Sequence, residues 1–209
     1  SLYFFGKTSN KSLNFIEQLI LIILVYIIIG LLISLPFYLS NFQITFLSAF
    51  FESVSGLTGT GFSVFKNIKY LDPTLILWRS STQWIGGLYF LFSIIYLIDI
   101  YDDSFKKTLT NFISFNSSEI LKQAAKIFIL YSLLTILIFI ILNIFSIRTF
   151  DSLNLSLTII SSGGFLPVND LSMIIKENTQ IIIFSLLMLF SFFSLFFSYN
   201  LIFLRKKNV

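Results

Sequence analysis

Residues 53–65 read SVSGLTGTGFSVF, and residues 156–168 read SLTIISSGGFLPV. Both stretches are uncharged, carry Ser and Thr around glycines, and contain a Gly-Phe pair. They interrupt a chain otherwise rich in Phe, Ile and Leu. Aligning Gly61 with Gly164 sets Ser53 on Ser156 and Phe62 on Phe165, and pairs Thr58, Gly59 and Thr60 with Ser161, Ser162 and Gly163. The spacing is about 103 residues, and a recurrence at such a period is a statement about architecture.

The surroundings of the two stretches define their solvent. Of the 209 residues, 56% are hydrophobic and 11% charged, whereas a soluble domain carries roughly a quarter charged residues. Too few polar side chains remain to cover a water-facing surface, and the bilayer is the expected solvent. The chain has no Cys and no His, which removes thiolate chemistry, imidazole ligands and every Ser-His or Cys-His catalytic arrangement. An intramembrane hydrolase would then need a Lys at depth as its base, and none lies inside a predicted span. We expect no enzyme, no cofactor and no nucleic-acid partner. The net charge of +4 concerns orientation in the membrane instead.

Four stretches, 18–35, 80–98, 127–147 and 178–204, lack charge over about the 20 residues that cross a hydrocarbon core. Helices are expected there, because lipid offers the backbone no hydrogen-bond partners. Each connector, 36–79 and 148–177, opens with a shorter apolar segment, 44–56 or 150–160, suited to a re-entrant half-helix. A Gly-Phe loop follows each one. The expected fold class is an all-α polytopic membrane protein of two units, each made of span, half-helix, loop and span. Residues 1–100 form the first unit, 101–118 a cytoplasmic linker and 119–209 the second unit. With both termini in the cytoplasm, nine Lys and Arg lie inside (Lys7, Lys11, Lys106, Lys107, Lys122, Lys126, Arg205, Lys206, Lys207) and five outside (Lys66, Lys69, Arg79, Arg148, Lys176). That bias favours this orientation in a cell inner or plasma membrane.

Non-helical backbone at membrane depth survives only where protein buries it or water lines it. Loops of Thr, Ser and Gly suit the second case. Glycine reaches backbone conformations closed to other residues, and carbonyl and hydroxyl oxygens can replace the water shell of a monovalent cation. The half-helix before each loop directs the negative end of its dipole there. Divalent ions call for carboxylates, which neither loop contains. The expected ion-binding residues are Thr58, Gly59, Thr60, Gly61 and Phe62 with Ser161, Ser162, Gly163, Gly164 and Phe165, and the expected ion is K⁺, with Na⁺ as a second candidate. The competing reading is a non-transporting scaffold or assembly subunit whose glycines only permit turns and close helix packing.

Four segments resemble Trk/Ktr-type potassium transporters: FFESVSGLTGTGFSVF (50–65), LDPTLILWRSSTQWIGGLYFL (71–91), LKQAAKIFILYSLLTILIFIIL (121–142) and TFDSLNLSLTIISSGGFLPVND (149–170). WRSSTQWIGG is the most specific part. The resemblance implies an M1–P–M2 unit repeated four times around one pore, each repeat supplying a filter strand with a key glycine. Those glycines map here to Gly61 and Gly164. It also implies a homodimer and a cytoplasmic nucleotide-binding regulatory subunit. Gly59 departs from the pattern, standing where the family more often has Thr. Two units make half a filter, so the remaining two repeats or a second copy of the chain are expected partners, and we read the chain as a fragment. The gating loop of the family's third repeat has no counterpart.

Three residues outside the loops are candidates for pore support. Glu52 sits one turn before the first loop. It can hold the loop by accepting backbone N–H bonds, raise the local cation concentration, or stand as an exposed carboxylate in the vestibule. Arg79 lies beside Trp78 at the expected outer start of the second span, either orienting backbone oxygens at the pore mouth or snorkelling at the interface. Gln83 is expected to face protein rather than lipid. Gly86 and Gly87 point to close helix packing, and Asp151 to an N-cap or first-turn acid.

Overall fold

The computed structural model describes residues 15–98 and 117–192. Six α-helices and two short 3₁₀ turns make up its regular structure: α1 (Phe15–Tyr38), α2 (Phe46–Leu57), α3 (Pro73–Ile98), α4 (Ser117–Ile144), α5 (Thr149–Ile160) and α6 (Asn178–Phe192). The all-helical class expected from composition is what forms. Most of the linker, residues 101–116, lies outside the described residues, as do 1–14 and 193–209 with their basic clusters.

The period of 103 holds through the middle of each unit. Helices α2 and α5 both have 12 residues and begin 103 positions apart, as do the 3₁₀ turns Ile68–Tyr70 and Leu171–Met173. The half-helices therefore match the predicted segments within two residues at each end. Thr45 caps α2, its Oγ1 accepting from Ser48 N at 3.2 Å. At α5 the N-cap is Arg148, which lacks such a bond. Asp151 is the first-turn acid, paired with the Arg148 guanidinium at 3.0 Å. Of the two roles expected for Asp151, the cap is therefore corrected.

The second span also needs correction. It begins at Pro73 rather than 80, with proline at the first helical position, where its missing N–H costs nothing. Arg79 is not a boundary of the span: it sits well inside α3, and Ser80, Thr82 and Gln83 beside it are buried. Helix α4 begins at Ser117, ahead of its apolar stretch 124–144, which agrees with the expected third span, so the last residues assigned to the linker are helical.

Helix α3 is central: it packs against α1, α2, α4 and α5. Gly86 and Gly87 make this possible. A Cβ on Gly86 would lie 2.0 Å from Leu57 O at the end of α2, and one on Gly87 would lie 2.9 Å from the Ser161 Cβ after α5. The helix is thus wedged between the carboxyl ends of both half-helices, and close packing is the use these glycines serve. One apolar cluster joins α1, α2 and the start of α3 around Phe37, Ala49 and Leu75; a second joins the rest of α3 to α4, α5 and α6 around Tyr131, Ile138 and Leu155. Outward, α1 exposes Ile16, Ile20, Ile23, Leu24 and Ile27. In water that surface would be an aggregation site; in lipid it is in its own solvent. Among the described residues, 16–38 and 124–144 are long and apolar enough to cross a membrane.

Candidate ion-binding site

The two Gly-Phe loops are built by the same local rules. After α2, Gly59 N donates to Gly56 O at 3.0 Å and Thr60 N to Ser55 O at 3.0 Å. After α5, Ser162 N donates to Ile159 O and Gly163 N to Thr158 O, each at 2.9 Å. The hydroxyls follow suit: Thr58 Oγ1 donates back to Val54 O at 2.8 Å, and Ser161 Oγ to Leu157 O at 3.0 Å. Ser55 Oγ donates to Phe62 O at 2.6 Å, and its counterpart Thr158 Oγ1 to Phe165 O at 3.1 Å. Each half-helix thereby folds its loop back over its own carboxyl end, where the dipole is negative.

What remains free defines the chemistry. Among the described residues, no donor reaches the carbonyl oxygens of residues 58–61 or 161–164, whereas those of Phe62 and Phe165 are both taken. The backbone turns sharply there: φ is 68° at Gly59, 78° at Gly61 and 53° at Ser162. Glycine tolerates the left-handed region, while Ser162 occupies it at a cost. The two loops also touch. A Cβ on Gly61 would stand 2.7 Å from Gly164 Cα, so the glycines aligned by sequence are neighbours in space. A run of undonated carbonyls with no fixed charge suits a weakly hydrated monovalent cation. No cluster of His, Cys, Asp and Glu suited to a transition metal occurs among the described residues.

Behind the first loop lies a buried ion pair. Glu52 is fully buried; its Oε1 accepts from Arg79 Nε at 2.8 Å and from Ser63 Oγ at 2.9 Å, and its Oε2 accepts from Val64 N at 2.8 Å. Arg79, only 1% exposed, also donates to Ser63 Oγ at 3.1 Å and to Leu166 O at 3.3 Å, and its guanidinium lies 4.2 Å from the centre of the Phe165 ring. Of the readings open for these two residues, one each is thereby excluded. Glu52 is not an exposed vestibule carboxylate, and Arg79 is not a snorkelling interfacial residue. Together they brace the segment after the first loop and reach across to the second. Gln83, one turn beyond Arg79, is buried and accepts from Phe165 N at 3.2 Å.

The two phenylalanines part company: Phe165 is 1% exposed and Phe62 69%. The helix of the first unit covers the second loop, while Phe62 stands open. Sequence reasoning overlooked Ser55, Thr158, Ser63 and Asn169. Asn169 Oδ1 accepts from Ile68 N at 2.6 Å, tying together the segments that follow the two loops. Ser55 and Thr158 were discoverable, being hydroxyl residues at matched positions in both units.

With the geometry in view, similarity to known proteins adds the family. The chain matches the TrkH family, described as cation transport protein, over residues 1–207. It is 28% identical over 184 residues to a cation transporter of Methanocaldococcus jannaschii, covering 80% of this chain and 37% of that one. It is 26% identical over 156 residues to the Trk system potassium uptake protein TrkH of Escherichia coli, covering 71% of this chain and 32% of that one. Its fold superposes on the crystal structure of the potassium transporter TrkH from Vibrio parahaemolyticus with a TM-score of 0.73 at 25% identity, over 88% of this chain and 37% of that one. The chain therefore spans about a third of the length of these relatives. It belongs to the TrkH family of membrane cation transport proteins.

Proposed function

We propose that the chain supplies two of the filter strands through which a transporter takes up potassium across the cell's inner or plasma membrane, driven by the membrane potential. The observation that carries this is the pair of touching loops with undonated carbonyls at residues 58–61 and 161–164. The potassium transport named for its relatives supports the choice of ion. Oxygens without carboxylates suit K⁺, with Na⁺ as the competing ion.

Residues 1–100 and 119–209 act as two M1–P–M2 repeats with both termini cytoplasmic. Each supplies one filter strand, from Thr58 to Phe62 and from Ser161 to Phe165. Glu52 and Arg79 hold the first strand's exit. Two strands surround a cation on one side only, so the working pore takes two further repeats or a second copy of the chain. The open face of Phe62 is consistent with that need. A homodimer and a cytoplasmic nucleotide-binding regulatory subunit complete the proposed assembly.

The test is growth of a bacterium lacking its own potassium uptake systems on limiting potassium. Expression of the whole reading frame that contains this chain should restore growth at potassium concentrations too low for the host alone. Failure of the well-inserted protein to restore growth on limiting potassium overturns the proposal.

A further inference from the structure

We infer that Gln83 is a positioning residue through which the first unit sets the ion discrimination of the second loop, an inference resting on the filter reading above. Gln83 comes from α3, and the strand it touches comes 82 residues later, at Phe165. Its Oε1 accepts the Phe165 N–H at 3.2 Å. That N–H also fixes the orientation of the amide, since a flipped side chain would set donor against donor. The amide then fills the space beside Gly163, where a Cβ would lie 2.4 Å from Cδ, 2.5 Å from Oε1 and 2.6 Å from Nε2.

This explains a difference between the loops. Gly61 needs glycine partly for its left-handed backbone, whereas Gly163 lies outside that region and needs glycine for room. The residue matched to Gly163 in the first loop is Thr60, an exposed side chain whose hydroxyl sits 2.6 Å from that of Thr58. Gln83 and the second strand are therefore a fitted pair, and the first strand has no such helix against it among the described residues. Gln83 Nε2 has no acceptor among the described residues. A buried donor left idle is rare in folded proteins. Here the side chain's oxygen and shape are what the loop uses, and an amide brings the NH₂ with it. With its oxygen hydrogen-bonded to Phe165 N, Gln83 acts by holding the strand that carries the undonated carbonyls.

The test is rubidium uptake into liposomes containing the whole transporter, with K⁺ and Na⁺ as competitors. Gln83→Leu, which removes the acceptor, should lower the preference for K⁺ over Na⁺ about two- to tenfold, the range set by one hydrogen bond. Gln83→Glu, which keeps an oxygen for the Phe165 N–H, should recover most of what Leu loses. Gly163→Ala should stop uptake, and adding Gln83→Ala to that chain should restore it by vacating the space. Wild-type discrimination in Gln83→Leu, or a Gly163→Ala block that Gln83→Ala does not relieve, overturns the inference. Should Gln83→Leu fail to insert, the K⁺ over Na⁺ preference of the Gly163→Ala, Gln83→Ala double variant decides: it should take up rubidium but with a weakened preference, since the acceptor for Phe165 N is gone, and a wild-type preference there overturns the inference. A wild-type protein showing no preference between the ions overturns the filter reading itself, and this inference with it.

Discussion

Arg79 Nε donates to Glu52 Oε1 at 2.8 Å, and both side chains are sealed from solvent. The pair joins α3 to α2, and through Ser63, Val64 and Leu166 it touches the segments that follow both loops. Buried pairs of this kind are costly to break, because the surviving charge has no water to turn to. Glu52→Ala should lower stability by about 3–5 kcal/mol, read as an earlier thermal unfolding transition in detergent. The double replacement Glu52→Leu with Arg79→Met should regain much of that stability. It should not regain uptake, because Val64 N and Leu166 O then have no partner.

Glycine positions separate backbone strain from crowding. Gly59 has a left-handed φ but nothing nearer than 3.6 Å to a new Cβ, whereas Gly61 combines a left-handed φ with the 2.7 Å approach to Gly164. Gly59→Ala should cost about 1–2 kcal/mol in strain alone and leave measurable rubidium uptake. Gly61→Ala should abolish uptake in protein that still reaches the membrane.

Ser55 and Thr158 make the same bond in the two units, each holding the carbonyl of the loop phenylalanine. Removing either hydroxyl, by Ser55→Ala or Thr158→Val, should cost about 1 kcal/mol and weaken K⁺ preference severalfold. Competition by Na⁺ for rubidium uptake checks this. Similar losses in both variants are the expected outcome, because the bonds are equivalent.

Gly86→Ala offers a contrast. Its Cβ would meet Leu57 O at 2.0 Å, at the packed joint between α2 and α3 rather than at a free carbonyl. This variant should lose assembled protein, seen by size-exclusion chromatography, with the remaining fraction keeping its normal ion preference. A scaffold whose glycines serve packing alone predicts that Gly61→Ala behaves the same way.

The class of fold and the position of the loops were legible because they rest on local signals. Long uncharged runs mark helices in lipid, and a Ser/Thr/Gly loop recurring after equal half-helices marks a repeat. The contacts of Glu52, Arg79 and Gln83 were not legible in the same way. Their partners lie 27, 87 and 82 residues away, and nothing in the composition near Arg79 says which side of α3 it faces. Treating that charge as a membrane boundary displaced the start of α3 from Pro73 to 80, although a proline before an apolar run is itself a start signal. That Gln83 faces protein is legible, because an amide in an apolar helix has few other places to go. Its fit to Gly163 depends on a contact between units that no local pattern encodes.

The most direct measurement is rubidium uptake into liposomes by the whole reading frame containing this chain, driven by an inside-negative potential and challenged with K⁺ or Na⁺. The filter account predicts uptake that K⁺ suppresses at lower concentration than Na⁺ and that Gly61→Ala or Gly164→Asp abolishes without loss of insertion. Uptake absent from well-inserted protein, or equally indifferent to K⁺, Na⁺ and both substitutions, would contradict it.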